Sequence, residues 1–183
     1  MQGGKQMHCT KCGAENGPTE LYCFQCGNPL PTEFLSESQQ LIVQKNTNYY
    51  GKCFSALRRG KKFSWNWAAF LGFGLWAAYR KMWAVSLLWL VALQGAFFFQ
   101  ALWLTPLLML LGGLFGNKLY YHKVRCTVKD IAAQPQKARQ AQLARRGGVS
   151  IGAAVLVGVL LLLLCLWWAF FFRGMPALVA VRG

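Results

Sequence analysis

"FSWNWAAFLGFGLWAAYRKMW" occupies residues 63–83, and the fold turns on whether this tryptophan-rich run crosses a membrane, lies on one, or packs into a soluble core. Upstream of Phe63 the chain is polar and carries two close cysteine pairs; downstream it is dominated by apolar residues. That shift is a boundary between two kinds of structure. A hydrophobic content of 55% with only 14% charged residues lies outside the usual balance of a soluble domain and favours a membrane class. The net charge of +15 is distributed around the apolar segments and forms no continuous stripe. Attraction to anionic lipid and control of topology account for it more simply than nucleic acid does. The beginning, "MQGGKQMHCTKCG", has no apolar core behind its charges and does not read as a secretory signal, which leaves it on the synthesis side of the membrane.

Working outward from the quoted stretch, residues 82–99 and 101–121 are each near the length needed to cross about 30 Å of hydrocarbon. Residues 148–172 are uncharged throughout and flanked by Arg145-Arg146 and Arg173, the clearest span of the chain. If residues 63–79 also crossed, Arg80-Lys81 and the basic segment 122–147 would fall outside, against the positive-inside tendency. If they enter and leave on one face, every Lys and Arg except Arg173 and Arg182 is cytoplasmic. The second arrangement is expected. The run is also short for a span, interrupted by Ser64, Asn66, Gly72 and Gly74, and its tryptophans suit the headgroup boundary. The expected fold class is therefore mainly α and integral to the membrane. It has a small zinc ribbon of short β-strands and turns at the N-terminus, one amphipathic helix, one re-entrant or interfacial helix, and three transmembrane helices.

Cys9-x2-Cys12 and Cys23-x2-Cys26 form the strongest local signal. Each Cys-x2-Cys turn delivers two thiolates from one tight loop, and two such turns close a tetrahedral zinc site. Each pair is followed by a glycine that lets the backbone turn sharply. So small a segment cannot bury enough apolar surface to fold alone, so metal supplies the folding free energy; four thiolates leave no open position for catalysis. His8 is not needed as a ligand, and Cys53, Cys126 and Cys165 fit no metal spacing.

Residues 9–30, "CTKCGAENGPTELYCFQCGNPL", resemble the short zinc ribbons at the N-terminus of many bacterial membrane and regulatory proteins, in ligands, both glycines and the closing "PL". That resemblance implies a recognition or structural module. Residues 49–130 resemble a bacterial family of small inner-membrane proteins known as a domain of unknown function. The shared elements are Trp65 to Phe70, Tyr79 to Met82, and Asn117, Tyr120, Tyr121 and His122. This chain has Gly74-Leu75 where those proteins usually carry Gly-Pro, so a kink must come from glycine alone, and the histidine falls one residue early. The resemblance implies a bacterial inner-membrane location and no activity.

The expected organisation is a zinc ribbon at 1–30, a polar linker at 31–48, a basic amphipathic helix at 49–62 suited to a membrane surface, and a membrane domain at 63–121. A basic cytoplasmic loop at 122–147, a transmembrane helix at 148–172 and a short tail at 173–183 follow. The N-terminus is expected in the cytoplasm and the C-terminus across the membrane. Asn66, Asn117 and His122 are the polar candidates in or beside apolar segments. No acidic residue lies between Phe63 and Tyr121, so a cation or proton path lacks its usual carboxylate, and no nucleophile, base and orienting group can be assembled for an enzyme. Expected partners are the bilayer, anionic phospholipids at the cytoplasmic face, and a protein that meets the ribbon; nucleic acid is disfavoured. The expected function is that of a non-enzymatic adaptor or assembly factor. The alternative is a small transporter or transport accessory, acting as a homo-oligomer.

Overall fold

The computed structural model describes residues 7–17, 20–30, 35–101 and 103–180, with side chains through Phe171. Residues 31–34 of the expected linker and 181–183 of the tail lie outside the described residues. The chain is mainly helical, with one two-stranded antiparallel sheet, β1 (Met7–His8) and β2 (Glu15–Asn16). Seven helices follow: α1 (Glu37–Val43), α2 (Thr47–Arg58), α3 (Trp67–Tyr79), α4 (Trp83–Phe98), α5 (Leu104–Ile131), α6 (Gln136–Arg146) and α7 (Ile151–Ala180).

The decisive stretch becomes α3, and α3 sits at the centre, packed by α4, α5 and α7. Its start is fixed by Asn66, whose side-chain oxygen accepts from the Ala69 amide. At Gly72 (φ −152°, ψ 66°) the helix breaks and resumes, two residues before the Gly74-Leu75 pair at which a glycine kink was expected. The neighbours along α3 and α5 advance together: Asn66 meets Gly113, the Trp76 ring meets Tyr120 edge to face, and the Arg80 carbonyl meets Lys123. These two helices run parallel. They approach closely because α5 presents Gly112 and Gly116; a Cβ on either would stand within 3 Å of Ala69. Ser86 bonds the Gly74 carbonyl, making α3 and α4 an antiparallel hairpin, and the Ser150 amide meets the Tyr79 carbonyl, so α7 also runs against α3.

One end of the bundle therefore gathers the ends of α3 and α6, the starts of α4 and α7, and the basic part of α5. This is the basic end. At the opposite end Phe98, Phe99, Trp103, Trp167 and Phe170 are exposed. Residues 61–66 lead into α3 without helical structure, and α3 begins beside Gly113, about 15 Å along α5 from Lys123.

Three expectations need correction. The 122–147 segment is not a loop: α5 continues through it to Ile131, because Tyr120, Val124 and Ile131 recur on one buried face, and α6 follows after a short turn. The linker is not plain linker either. Ser36 and Gln39 form a reciprocal capping box that starts α1, and Ile42 and Val43 are buried in the main core. The amphipathic helix exists as α2, but Tyr50 and Phe54 pack on the rings of Tyr120 and Tyr121, so its buried face turns to α5 instead of a membrane surface.

Among the described residues one helical stretch, Gln136–Phe171, contains a run long and apolar enough to cross a membrane. α3 and α4 are apolar but short; their 13 and 16 residues extend about 20 Å and about 24 Å. The apolar part of α5 ends at Asn117-Lys118.

Candidate metal centre and the basic end

The four expected ligands come together. Their sulfurs all lie within 4.8 Å of one another, with Cys9 to Cys26 at 3.6 Å and Cys12 to Cys23 at 3.5 Å. Tetrahedral coordination at about 2.3 Å places sulfurs roughly 3.8 Å apart, so the cluster could hold a metal ion with little adjustment. The two halves repeat one backbone pattern. Gly13 N–H bonds Cys9 O and Gly27 N–H bonds Cys23 O, both at 2.9 Å, while Cys9 and Cys23 donate to Ala14 O and Asn28 O. Both glycines adopt positive φ, 76° and 67°, the conformation that their place after each pair requires.

Amides aim at the sulfurs. Lys11 N–H points at Cys9 Sγ, and the Cys12 and Lys11 amides hold the Cys9 thiol below its ordinary range. Burial opposes ionisation at Cys23, but the amides of Cys26 and Gln25 outweigh it and draw that thiol down to about 6. At Cys12 the Ala14 amide favours the thiolate, yet lost hydration and the neighbouring sulfurs push it up to about 12. Four thiolates cannot coexist here without a cation between them.

Asn16 was not singled out by sequence. It is buried, bonds Ala14 O at 2.7 Å, accepts from the Phe24 amide at 3.1 Å, and turns its Nδ2 toward Cys23 Sγ, tying one cysteine turn to the other. Its type in the "AEN" turn was the available signal. His8 faces Glu15 across the strand pair and stands apart from the sulfurs.

Of the polar candidates in the helical body, two meet and one does not. Asn66 Nδ2 donates to Asn117 Oδ1 at 2.9 Å, and Asn117 Nδ2 donates in turn to Tyr49 Oη and Ser64 Oγ at 2.8 and 3.1 Å. Both asparagines are buried, and their amides lock the start of α3 onto α5 and α2. His122 is exposed on α5, with the Cys126 sulfur 3.7 Å from its ring, and does not join the asparagine pair.

A feature missed by sequence reading lies at the basic end. Arg80 is 2% exposed, and among the described residues no carboxylate pairs with it. Its guanidinium donates to Val43 O at 3.0 Å and Lys45 O at 3.2 Å, the carbonyls at the end of α1, and lies over the rings of Tyr50, Tyr120 and Tyr79. Lys123 Nζ donates to the carbonyls of Arg80 and Lys81 at 2.6 and 3.1 Å, closing the end of α3. Lys81 Nζ reaches Gly147 O and Arg145 O at 2.6 and 3.3 Å, closing the end of α6. Three cations thus occupy three helix C-termini, where unpaired carbonyls and the negative end of the helix dipole take the place of acids.

Lys123 lies beyond the apolar part of α5. Burial, then the charges of Lys81 and Arg80, lower it from 10.5 to about 8. The folded protein accordingly binds fewer protons than the unfolded chain between pH 8 and 10.5, so this residue makes stability rise with pH across that window. We expect the Lys123 ε-methylene resonance to titrate near 8, and the melting temperature to gain more between pH 7.5 and 9.5 than in Lys123→Met. A midpoint above 10 would contradict the burial.

No family model matches the chain, and neither characterised proteins nor solved structures give a match, so the two resemblances rest on the motifs in residues 9–30 and 49–130.

Proposed function

We propose that the protein is a multi-pass bacterial inner-membrane protein whose cytoplasmic head, held by a structural zinc ion, recognises a protein partner, and that it acts as an adaptor or assembly factor without catalysing a reaction. The observation that carries this reading is a closed set of four sulfurs joined to a helical body whose exterior is apolar along α4, the first half of α5 and α7. No charged residue falls between Trp83 and Asn117. Leu87, Leu88, Val91, Leu107, Leu110, Leu156, Leu163 and Leu166 are exposed, a surface that water would penalise and hydrocarbon would not.

The placement of charge supports a cytoplasmic basic end: α3, α5 and α6 finish there, and α4 and α7 leave from it. With that orientation residues 61–66 descend to mid-depth and α3 climbs back, a re-entrant element covered by α4, α5 and α7, as non-helical backbone at membrane depth requires. α4 and α5 make one hairpin and α7 a further crossing. Phe24, 74% exposed in the second cysteine turn, is the natural contact for a partner. The transport alternative draws no support from the Asn66–Asn117 pair, whose amides are engaged with each other, or from His122 on the outer face.

Pull-down from membranes with wild-type, Cys9→Ser and Phe24→Ala protein tests the reading. Both variants should lose the same partner by at least about tenfold, the size expected for an aromatic contact at an interface centre. An unchanged partner set from a metal-free head would refute the adaptor role.

A further inference from the structure

A groove of about 560 Å³ runs along α3 between α2 and α7, and nothing above uses it. Its walls are apolar and aromatic: Trp67, Ala68, Gly72 and Leu75 on α3, with Ala154 on α7. Asn46, Tyr79 and the cationic Arg80 line the basic end, while Asn66 and Tyr49 at the other end are already bonded within the protein. We propose that this groove is a binding site for one anionic phospholipid, with the phosphate at the Asn46–Arg80 end and one acyl chain laid toward Trp67. The proposal rests on the membrane reading above and deepens it by naming a lipid class and a place.

Two independent features select an anion. Asn46 caps α2, a twelve-residue helix, in a left-handed conformation without a side-chain cap bond, and it lines the groove where the positive end of that helix begins. Beside it stands Arg80, whose buried Nε has no hydrogen-bond partner among the described residues although the other guanidinium nitrogens are bonded. The carbonyls and rings around Arg80 solvate its charge but do not cancel it, and no carboxylate among the described residues pairs with it, so this end of the groove keeps a net positive charge that a phosphate would neutralise.

Dimensions select a lipid over a free phosphate. The groove follows α3 from its end at Tyr79 to its start at Trp67, a rise of about 20 Å over 13 residues, comparable with one leaflet of a hydrocarbon core about 30 Å thick. The break at Gly72 removes helix bulk midway along it. Ala154, one turn into α7, keeps the opposite wall low. Trp67, 66% exposed, lines this groove and is placed to cover a chain.

Native mass spectrometry of the full chain, released from mild detergent after equilibration with phosphatidylglycerol or phosphatidylcholine, tests the site. One phosphatidylglycerol should be retained at least about tenfold more than phosphatidylcholine, the margin of a charge-assisted contact. Arg80→Gln should abolish the preference. Because that change also touches the core, Ala154→Leu, which narrows the groove from α7 and leaves every Arg80 bond intact, should reduce phosphatidylglycerol retention by a similar factor. Equal retention of both lipids, full retention in Ala154→Leu, or displacement of the lipid by millimolar inorganic phosphate would each overturn the proposal. Flotation of the same protein with phosphatidylcholine vesicles separates the two levels: flotation without selective retention sinks only the lipid site, and failure to float sinks the membrane reading beneath it.

Discussion

If the four cysteines hold a metal as proposed, stripping it is expected to unfold the head around Cys9, Cys12, Cys23 and Cys26 while α1 to α7 stay helical. The head has almost no apolar core of its own: Leu30 is buried with Cys9 and Cys23, and Ala14 and Cys26 pack beside them. Its strands are two residues long. Metal binding by such a site contributes on the order of 10–16 kcal/mol, far more than the remaining contacts supply. After treatment with a strong chelator, trypsin should cleave at Lys11 at least about a hundredfold faster, the scale expected when an ordered turn opens fully. The far-UV helical signal should change little. Cys23→Ser should reproduce the result without chelator, since removal of one ligand opens the tetrahedron, whereas Cys165→Ser, exposed on α7, should not. Continued protection of Lys11 after metal analysis shows the ion has gone would mean that the protein fold, and not the metal, holds the head.

Replacing Arg80 is expected to cost the helical body more than any other single cation. Arg80→Ala removes donors from Val43 O and Lys45 O, leaves the end of α1 unsatisfied, and opens a void beneath the rings of Tyr50 and Tyr120. Unsatisfied buried acceptors and a cavity together amount to roughly 3–4 kcal/mol. For a chain of this size that is a fall in melting temperature of about 10 °C. Arg80→Lys retains the charge but loses the planar fork that reaches two carbonyls and stacks on the rings, and should fall between. Lys62→Ala, on an exposed turn, provides the control. The measurement is thermal unfolding in one detergent, followed by tryptophan fluorescence. A loss for Arg80→Ala no larger than for Lys62→Ala would show that the guanidinium is carried passively.

The metal head was readable because its chemistry is local: two Cys-x2-Cys-Gly turns specify ligand number, spacing and backbone sign within a few residues of each other. α1 was equally local, since Ser36 and Gln39 in "SESQ" spell a capping box, but the surrounding polarity drew attention to a linker. The continuation of α5 past Tyr121 was hidden by its charge, although Val124 and Ile131 keep a buried face in phase with Tyr120. Asn66 and Asn117 stood out as amides in apolar surroundings; that they would meet each other depends on Gly112 and Gly116 allowing α3 to settle on α5. Arg80 was read as a topological marker, and nothing in its neighbours suggested burial. Its partners are mostly backbone carbonyls and rings brought from three other helices, and residue types say nothing about where a helix end will point.

The caging of cations by helix ends also sets how the two halves of the molecule respond to acid. Acid usually unfolds proteins by protonating carboxylates that hold buried cations. Among the described residues no carboxylate reaches Arg80, Lys81 or Lys123, and the carbonyls that do reach them do not titrate. The head, by contrast, depends on thiolates that protons compete for. As pH falls, the cysteine head would release any metal it holds while the helical body kept its shape, leaving a loosened N-terminal segment beside an intact bundle.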